Sequence, residues 1–154
     1  MVRAVTRSLC DTSVWLAMSI DNHVHNATVV GWFQTVNESG GAVFCRSTQQ
    51  SFLRLLTTNA VFSGYGSPPL SNQRAWNTYE MLTSDERVGI EAAEPPGLEQ
   101  AWRRFTERRS ASPKLWMDAY LAAFALAGGL TLVTTDNAFR QFEGLDALVL
   151  GTGP

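Results

Sequence analysis

The sequence predicts an α/β fold with a mainly parallel central sheet. Three observations carry this. Short apolar runs suited to strands alternate with segments of helical periodicity. The 154 residues contain no internal repeat and no linker long enough to divide them, so residues 1–154 are expected to form a single domain. Hydrophobic residues make up 45% and charged residues 17%, enough apolar content for a packed core.

Taken in order, Arg3–Cys10 leads into Asp11 as the first strand, and Thr12–Met18 starts a helix. Val24–Glu38 carries Val24, Ala27, Val30, Trp32 and Phe33 near helical spacing, with Gly40-Gly41 as its stop. Ala42–Cys45 is a short β-type run. Ser47 or Thr48 is the expected cap of a helix running to about Thr58. Gly64–Pro69 is a loop, Ser71–Ser84 a helix, and Arg87–Ala92 a strand. Pro95-Pro96-Gly97 precedes a helix from Leu98 to about Arg108, and Ser110–Pro113 breaks the chain again. Leu115–Ala127 presents Trp116, Tyr120, Ala123, Phe124 and Ala127 as a buried stripe. Leu130–Thr134 and Ala147–Leu150 complete the strands.

The composition narrows the function. The longest apolar stretch, around Tyr120–Val133, is broken by Gly128-Gly129 and is too short to span a bilayer. Arg3 and Arg7 are followed by no apolar signal core, so a cytoplasmic protein without membrane association is expected. Cys10 and Cys45 lack metal-ligand or redox spacing and are expected to be buried reduced thiols. A net charge of −2 does not announce a nucleic-acid binder, but a carboxylate site can offset basic residues elsewhere.

In open α/β sheets, functional groups gather beyond the carboxyl ends of the strands. Asp11 follows the first expected strand, Asp136 follows Leu130–Thr134, and Asp118 lies in the first turn of the Leu115–Ala127 helix. Each alone has a plain structural use as a cap or a charge favoured by the helix dipole. Together they are the oxygen ligands that a hard divalent cation takes, and a cation so held supports hydrolysis at phosphorus. His23 and His25, the two histidines, sit in no nucleophile–base arrangement.

The segment Leu9-Cys10-Asp11-Thr12-Ser13-Val14-Trp15-Leu16-Ala17 resembles the opening strand and turn of PIN domains. Trp116-Met117-Asp118-Ala119-Tyr120-Leu121-Ala122-Ala123-Phe124-Ala125 resembles that family's Asp-Ala-x-Leu-Ala-Ala helix. Leu132-Val133-Thr134-Thr135-Asp136-Asn137-Ala138-Phe139, with Phe142 and Gly144-Leu145, resembles its Thr-x-Asp strand end. Ser51-Phe52-Leu53-Arg54-Leu55-Leu56 is similar to the second family segment of many VapC-type toxins. The resemblance implies a PIN-like α/β/α sandwich and a Mg²⁺- or Mn²⁺-dependent endoribonuclease. It also implies a homodimer silenced by a cognate VapB-like antitoxin, with metal ligands at Asp11, Asp118 and Asp136.

One position departs from the family. Its usual Glu at the start of the helix occupied here by Thr48–Thr58 is Gln49, on the helical face of Phe52, Leu53 and Leu56. Gln49 is expected to point toward the site and to orient water or complete the ligand shell, with weaker cation affinity than a carboxylate gives. Thr12, Ser13, Thr135 and Asn137 flank the acids as candidate substrate or supporting residues. Arg103, Arg104, Arg108, Arg109 and Lys114, together with Arg46 and Arg54, are the candidate RNA contacts, since phosphate contacts supply sequence-independent affinity. The tryptophans Trp15, Trp32, Trp76, Trp102 and Trp116 are assigned to the core or a dimer interface. The leading reading is cleavage of structured RNA such as tRNA or rRNA. The alternative is a catalytically weakened domain that binds RNA or a protein without cutting. Receiver domains and haloacid-dehalogenase-like phosphatases fit worse, because each needs a second acid near Asp11 where Ser13 and its neighbours stand.

Overall fold

A computed structural model describes residues 6–151. Its elements alternate as expected: β1 (Ser8–Cys10), α1 (Thr12–Ser19), α2 (Asn26–Phe33), β2 (Ala42–Cys45), α3 (Arg46–Leu56), α4 (Asn59–Ser63) and α5 (Asn72–Thr83). They continue with β3 (Val88–Glu91), α6 (Leu98–Thr106), α7 (Leu115–Gly128), β4 (Thr131–Thr134), a short 3-10 helix (Asn137–Gln141) and β5 (Ala147–Val149). All four strand pairings are parallel, in the order β3-β2-β1-β4-β5.

Strand alternation divides the core between the two faces of the sheet. Leu9, Val43 and Leu132 face a cluster built by α6, α7 and the aromatic pair Phe139 and Phe142. Cys10, Phe44 and Val133 face a second cluster built by α1 to α5. The result is the expected three-layer α/β/α sandwich. On the second face, the Trp15 ring stacks on Phe44 at 3.9 Å, and its indole N–H donates to the Cys10 carbonyl at 3.1 Å. Cys10 and Cys45 are buried free thiols, as expected. Burial raises the Cys10 thiol above its ordinary pKa, and the neighbouring Asp11 charge adds to this.

Several boundaries differ from the sequence reading, each for a local reason. The first strand is only Ser8–Cys10, and the Arg3–Val5 part of that expectation lies outside the described residues. The Val24–Glu38 helix contracts to Asn26–Phe33. The Asn26 amide donates to the Ala17 carbonyl at 2.8 Å and pins the start, leaving Val24 outside and 83% exposed. The Thr35 hydroxyl turns back to the Trp32 carbonyl and closes the other end. Gly40, at φ +65°, therefore serves the turn into β2 and not the helix stop.

The cap of α3 is Cys45, with Ser47 and Thr48 already inside the helix. Thr48 sits at the third helical position and its hydroxyl accepts the Cys45 backbone N–H at 3.0 Å, the reciprocal half of a capping box. The helix stops at Leu56, where the Thr57 and Thr58 hydroxyls bond back to the Arg54 carbonyl, and α4 follows as a separate turn. The buried stripe assigned to α7 also needs correction. Trp116 is 53% exposed, and the core face is formed by Leu115, Ala119 and Leu121–Ala125.

Among the described residues, no helix is long and apolar enough to cross a membrane.

Candidate active site

The strand order locates the site. From β1 the chain steps outward to β2 and β3, then returns to the other side of β1 for β4 and β5. The switch point is the crevice between the carboxyl ends of β1 and β4, where α/β sheets place ligands. Cys10 pairs in register with Val133, so Asp11 and Thr134 emerge side by side. The Asp11 backbone N–H donates to the Val133 carbonyl at 2.8 Å and fixes that alignment.

Asp11 is the N-cap of α1, as its bland reading allowed. One carboxylate oxygen accepts the Thr12 N–H at 2.7 Å, and the other accepts the Ser13 hydroxyl at 3.2 Å and the Thr134 hydroxyl at 2.9 Å. Thr134 is fully buried, and its oxygen also accepts the Asp136 backbone N–H at 3.0 Å. One hydroxyl therefore ties the two acid-bearing turns together. Asp136 caps the 3-10 helix by accepting the Ala138 N–H at 2.9 Å. Asp118 faces this pair from the first turn of α7 and takes part in no ion pair among the described residues.

The electrostatics follow from this convergence. Burial pushes the Asp118 carboxyl up to about 6, with the charges of Asp11 and then Asp136 adding to the effect. Asp11 is also raised, chiefly by burial; its bonds from Thr134, Thr12 and Ser13 oppose the rise, and the Asp136 charge adds to it. Three carboxylates that repel one another without a neutralising ion pair are a hard-oxygen donor set suited to a divalent cation. Among the described residues no three His, Cys, Asp or Glu side chains stand close enough together to hold a metal ion between them. A cation would then be held by one or two of these carboxylates, with water and phosphate oxygens filling the remaining positions.

The other sequence candidates divide. Ser13 belongs to the site: besides bonding Asp11, its hydroxyl accepts the Thr135 N–H at 3.4 Å. Thr12 and Thr135 contribute backbone N–H groups in these bonds. Asn137 turns away, accepting from Arg140 at 3.1 Å. Gln49 is buried as expected, but its side-chain oxygen accepts from Arg46, one turn earlier on α3. Among the described residues no hydrogen bond joins Gln49 to the three aspartates.

The basic residues split between two regions. Arg108 and Lys114 line a cavity of about 440 Å³ together with Asp118, and Arg108 donates to Gln141 at 2.9 Å. Arg103 lines an adjoining groove, Arg104 lies against Phe105, and Arg109 is exposed. Arg46 and Arg54 belong to α3 instead.

Thr134 is the residue that the sequence reading passed over. The Thr-x-Asp pattern contains it, but the immediate neighbours of Asp136 are the more obvious candidates. Strand alternation was the available signal, since a polar residue ending a buried strand needs a partner. Thr134→Val keeps the shape and removes the bridge. It is expected to lower divalent-cation affinity about 10-fold or more, in the range of lost supporting bonds at metal sites. Calorimetric titration of Mn²⁺ checks this.

Comparison with known proteins agrees with the architecture. Residues 8–145 match the family described as PIN domain. The chain is 53% identical over 142 residues to Ribonuclease VapC41 of Mycobacterium tuberculosis, covering 92% of this chain and 97% of that one. Among solved structures it resembles VapBC2 from Rickettsia felis bound to a promoter DNA fragment, with a TM-score of 0.64, 11% identity, and coverage of 94% of this chain and 98% of that one. It also resembles Mycobacterium tuberculosis VapC20, a toxin described as cleaving the sarcin-ricin loop. That match has a TM-score of 0.58, 18% identity, and coverage of 90% and 97%.

Proposed function

Because the chain belongs to the PIN-domain family, among the VapC ribonucleases, we propose that it is a Mg²⁺- or Mn²⁺-dependent endoribonuclease. It acts as the cytoplasmic toxin of a type II toxin–antitoxin pair. The observation that carries this reading is the meeting of Asp11 and Asp136 through Thr134 at the sheet's switch point, with Asp118 opposite.

One or two of Asp11, Asp118 and Asp136 would hold the cation, with the remaining positions left to water and phosphate oxygens. The chemistry such a cation supplies is polarisation of phosphoryl oxygens and a lowered pKa for water. The chain's own contribution is position. Thr12, Ser13 and Thr134 hold the Asp11 carboxylate in one orientation, so little reorganisation is needed when substrate arrives. Arg108 and Lys114 bind substrate phosphates beside Asp118. Arg103, Arg104, Arg109, Arg46 and Arg54 add long-range attraction for RNA from the periphery. The substrate is tRNA or rRNA, the chain works as a homodimer, and a VapB-like antitoxin silences it.

The raised acids make the cation's effect depend on pH. A carboxyl whose folded pKa lies above its unfolded value stabilises the fold in its protonated form. For Asp118 that contribution is complete below about pH 4 and is lost as pH rises through about 6. Bound cation replaces the proton. Thermal denaturation is therefore expected to show a larger Mn²⁺-induced rise in Tm at about pH 7 than at about pH 5. An equal rise at both values would detach Asp118 from the cation.

The function is tested with end-mapped tRNA and rRNA transcripts. Discrete cuts are expected from the wild type, and none from Asp11→Asn, Asp118→Asn or Asp136→Asn. An active Asp136→Asn sinks the assignment. One observation favours the second reading, a domain that binds without cutting: Gln49 brings no charge and is engaged by Arg46. RNA affinity without turnover in either ion would support that reading.

A further inference from the structure

Most of α7 is buried, but its first turn is not. Trp116 is 53% exposed and Met117 64% exposed, on the same turn as Asp118. About half of the Trp116 side chain is thus open to solvent beside a candidate catalytic acid. The Trp116 ring also stands in a fixed frame. Its backbone carbonyl accepts the Trp102 indole N–H at 2.9 Å, and the Trp102 ring stands edge-on to it at 6.2 Å and 84°. Trp102 is in turn edge-on to Tyr120 at 5.5 Å, and the Tyr120 hydroxyl donates to Glu94 at 2.6 Å.

A groove of about 740 Å³ runs along this frame, lined by Trp102, Arg103, Thr106, Arg108 and Trp116 among others. Arg108, Ser112, Pro113 and Leu115 also line the cavity that contains Lys114 and Asp118, so the two spaces adjoin across a shared wall. An aromatic face, basic side chains beside it and an onward path to a carboxylate cluster together fit single-stranded nucleic acid, whose bases stack while its phosphates pair with Arg and Lys. Arg103 and Arg108 line the groove and Lys114 the adjoining cavity, with Glu99, Glu107 and Asp118 between them.

We propose that Trp116 is a stacking platform for an unpaired base of the RNA substrate, with Arg103 and Arg108 on the adjoining phosphates and the scissile linkage at Asp118. The proposal rests on the ribonuclease reading above and adds a positioning residue to it.

The test measures binding and cleavage of a fluorescein-labelled single-stranded oligoribonucleotide by the full chain, with binding followed by anisotropy. Trp116→Ala and Trp116→Leu are both expected to weaken binding about 10-fold, because Leu keeps apolar bulk but lacks a π face, while Trp116→Phe stays within about 3-fold of wild type. The salt dependence of binding should be unchanged in the Trp116 variants, whereas Arg108→Ala should flatten its slope by about one. Wild-type binding and cleavage by Trp116→Leu would overturn the proposal and leave the ribonuclease reading intact. Unchanged RNA affinity with a dimer-to-monomer shift in sedimentation would overturn it in favour of a contact between copies. Unchanged RNA affinity with lost antitoxin binding would overturn it in favour of that partner. A wild-type chain that neither binds nor cuts RNA would remove the ribonuclease reading itself.

Discussion

Asp118→Asn is expected to abolish RNA cleavage while raising the Tm of the cation-free chain. The two effects share one cause. Asp118 is partly desolvated and faces the charges of Asp11 and Asp136, which together push its carboxyl up to about 6. At neutral pH the fold therefore holds an ionised group at a cost, and the isosteric amide removes that cost. The same substitution removes a cation ligand. Loss of supporting partners at metal sites alone costs about 10–100-fold, so the loss of a ligand should exceed about 100-fold. The stabilisation should vanish below about pH 4, where Asp118 is protonated in both folded and unfolded chains. Melting curves and cleavage assays on the same preparation check both halves. Lost cleavage with a lowered Tm would mean a structural role instead.

The largest effect on stability is expected at Trp15. Its side chain is fully buried and stacked on Phe44 at 3.9 Å, within a cluster that includes Phe52 and Tyr79. Truncation to Ala leaves a cavity between β2 and α1, at about 3–5 kcal/mol for a buried aromatic residue. It also strands the Cys10 carbonyl, which the indole N–H satisfies at 3.1 Å. Cys10 directly precedes Asp11, so the site should loosen as the fold weakens. Trp15→Phe keeps most of the stacking and loses the hydrogen bond, and should cost about 1–3 kcal/mol. Urea denaturation, compared by midpoint at unchanged slope, separates the two variants.

The acids were legible in the sequence because strand ends are. Leu130–Thr134 is short, β-branched and bounded by Gly129 and Asp136, so its carboxyl end falls in one place; Asp11 benefits from the same logic after Cys10. The parallel sheet was legible from alternation alone. The exposed first turn of α7 was not. That helix is apolar nearly all round, so periodicity carries no phase, and Trp116 reads as core as readily as Ala119 does. The ends of α2 depend on two side-chain bonds to backbone, from Asn26 and Thr35, which no periodic pattern records. Gln49 is expected to point toward the site and is buried, but its oxygen is taken by Arg46, three residues back on the same helix, and not by the aspartates. Thr134 went unnoticed because its role needs two strand ends in register, a fact of pairing and not of sequence.

Under the proposed function, the aspartates at the switch point make this chain a cation-dependent ribonuclease. The most direct measurement incubates the purified, antitoxin-free chain with total bacterial RNA in Mg²⁺, in Mn²⁺ and in chelator, beside Asp118→Asn. Discrete fragments that require the cation and are absent from the variant are the predicted result. Intact RNA in both ions, from a folded chain that still binds RNA, would contradict it.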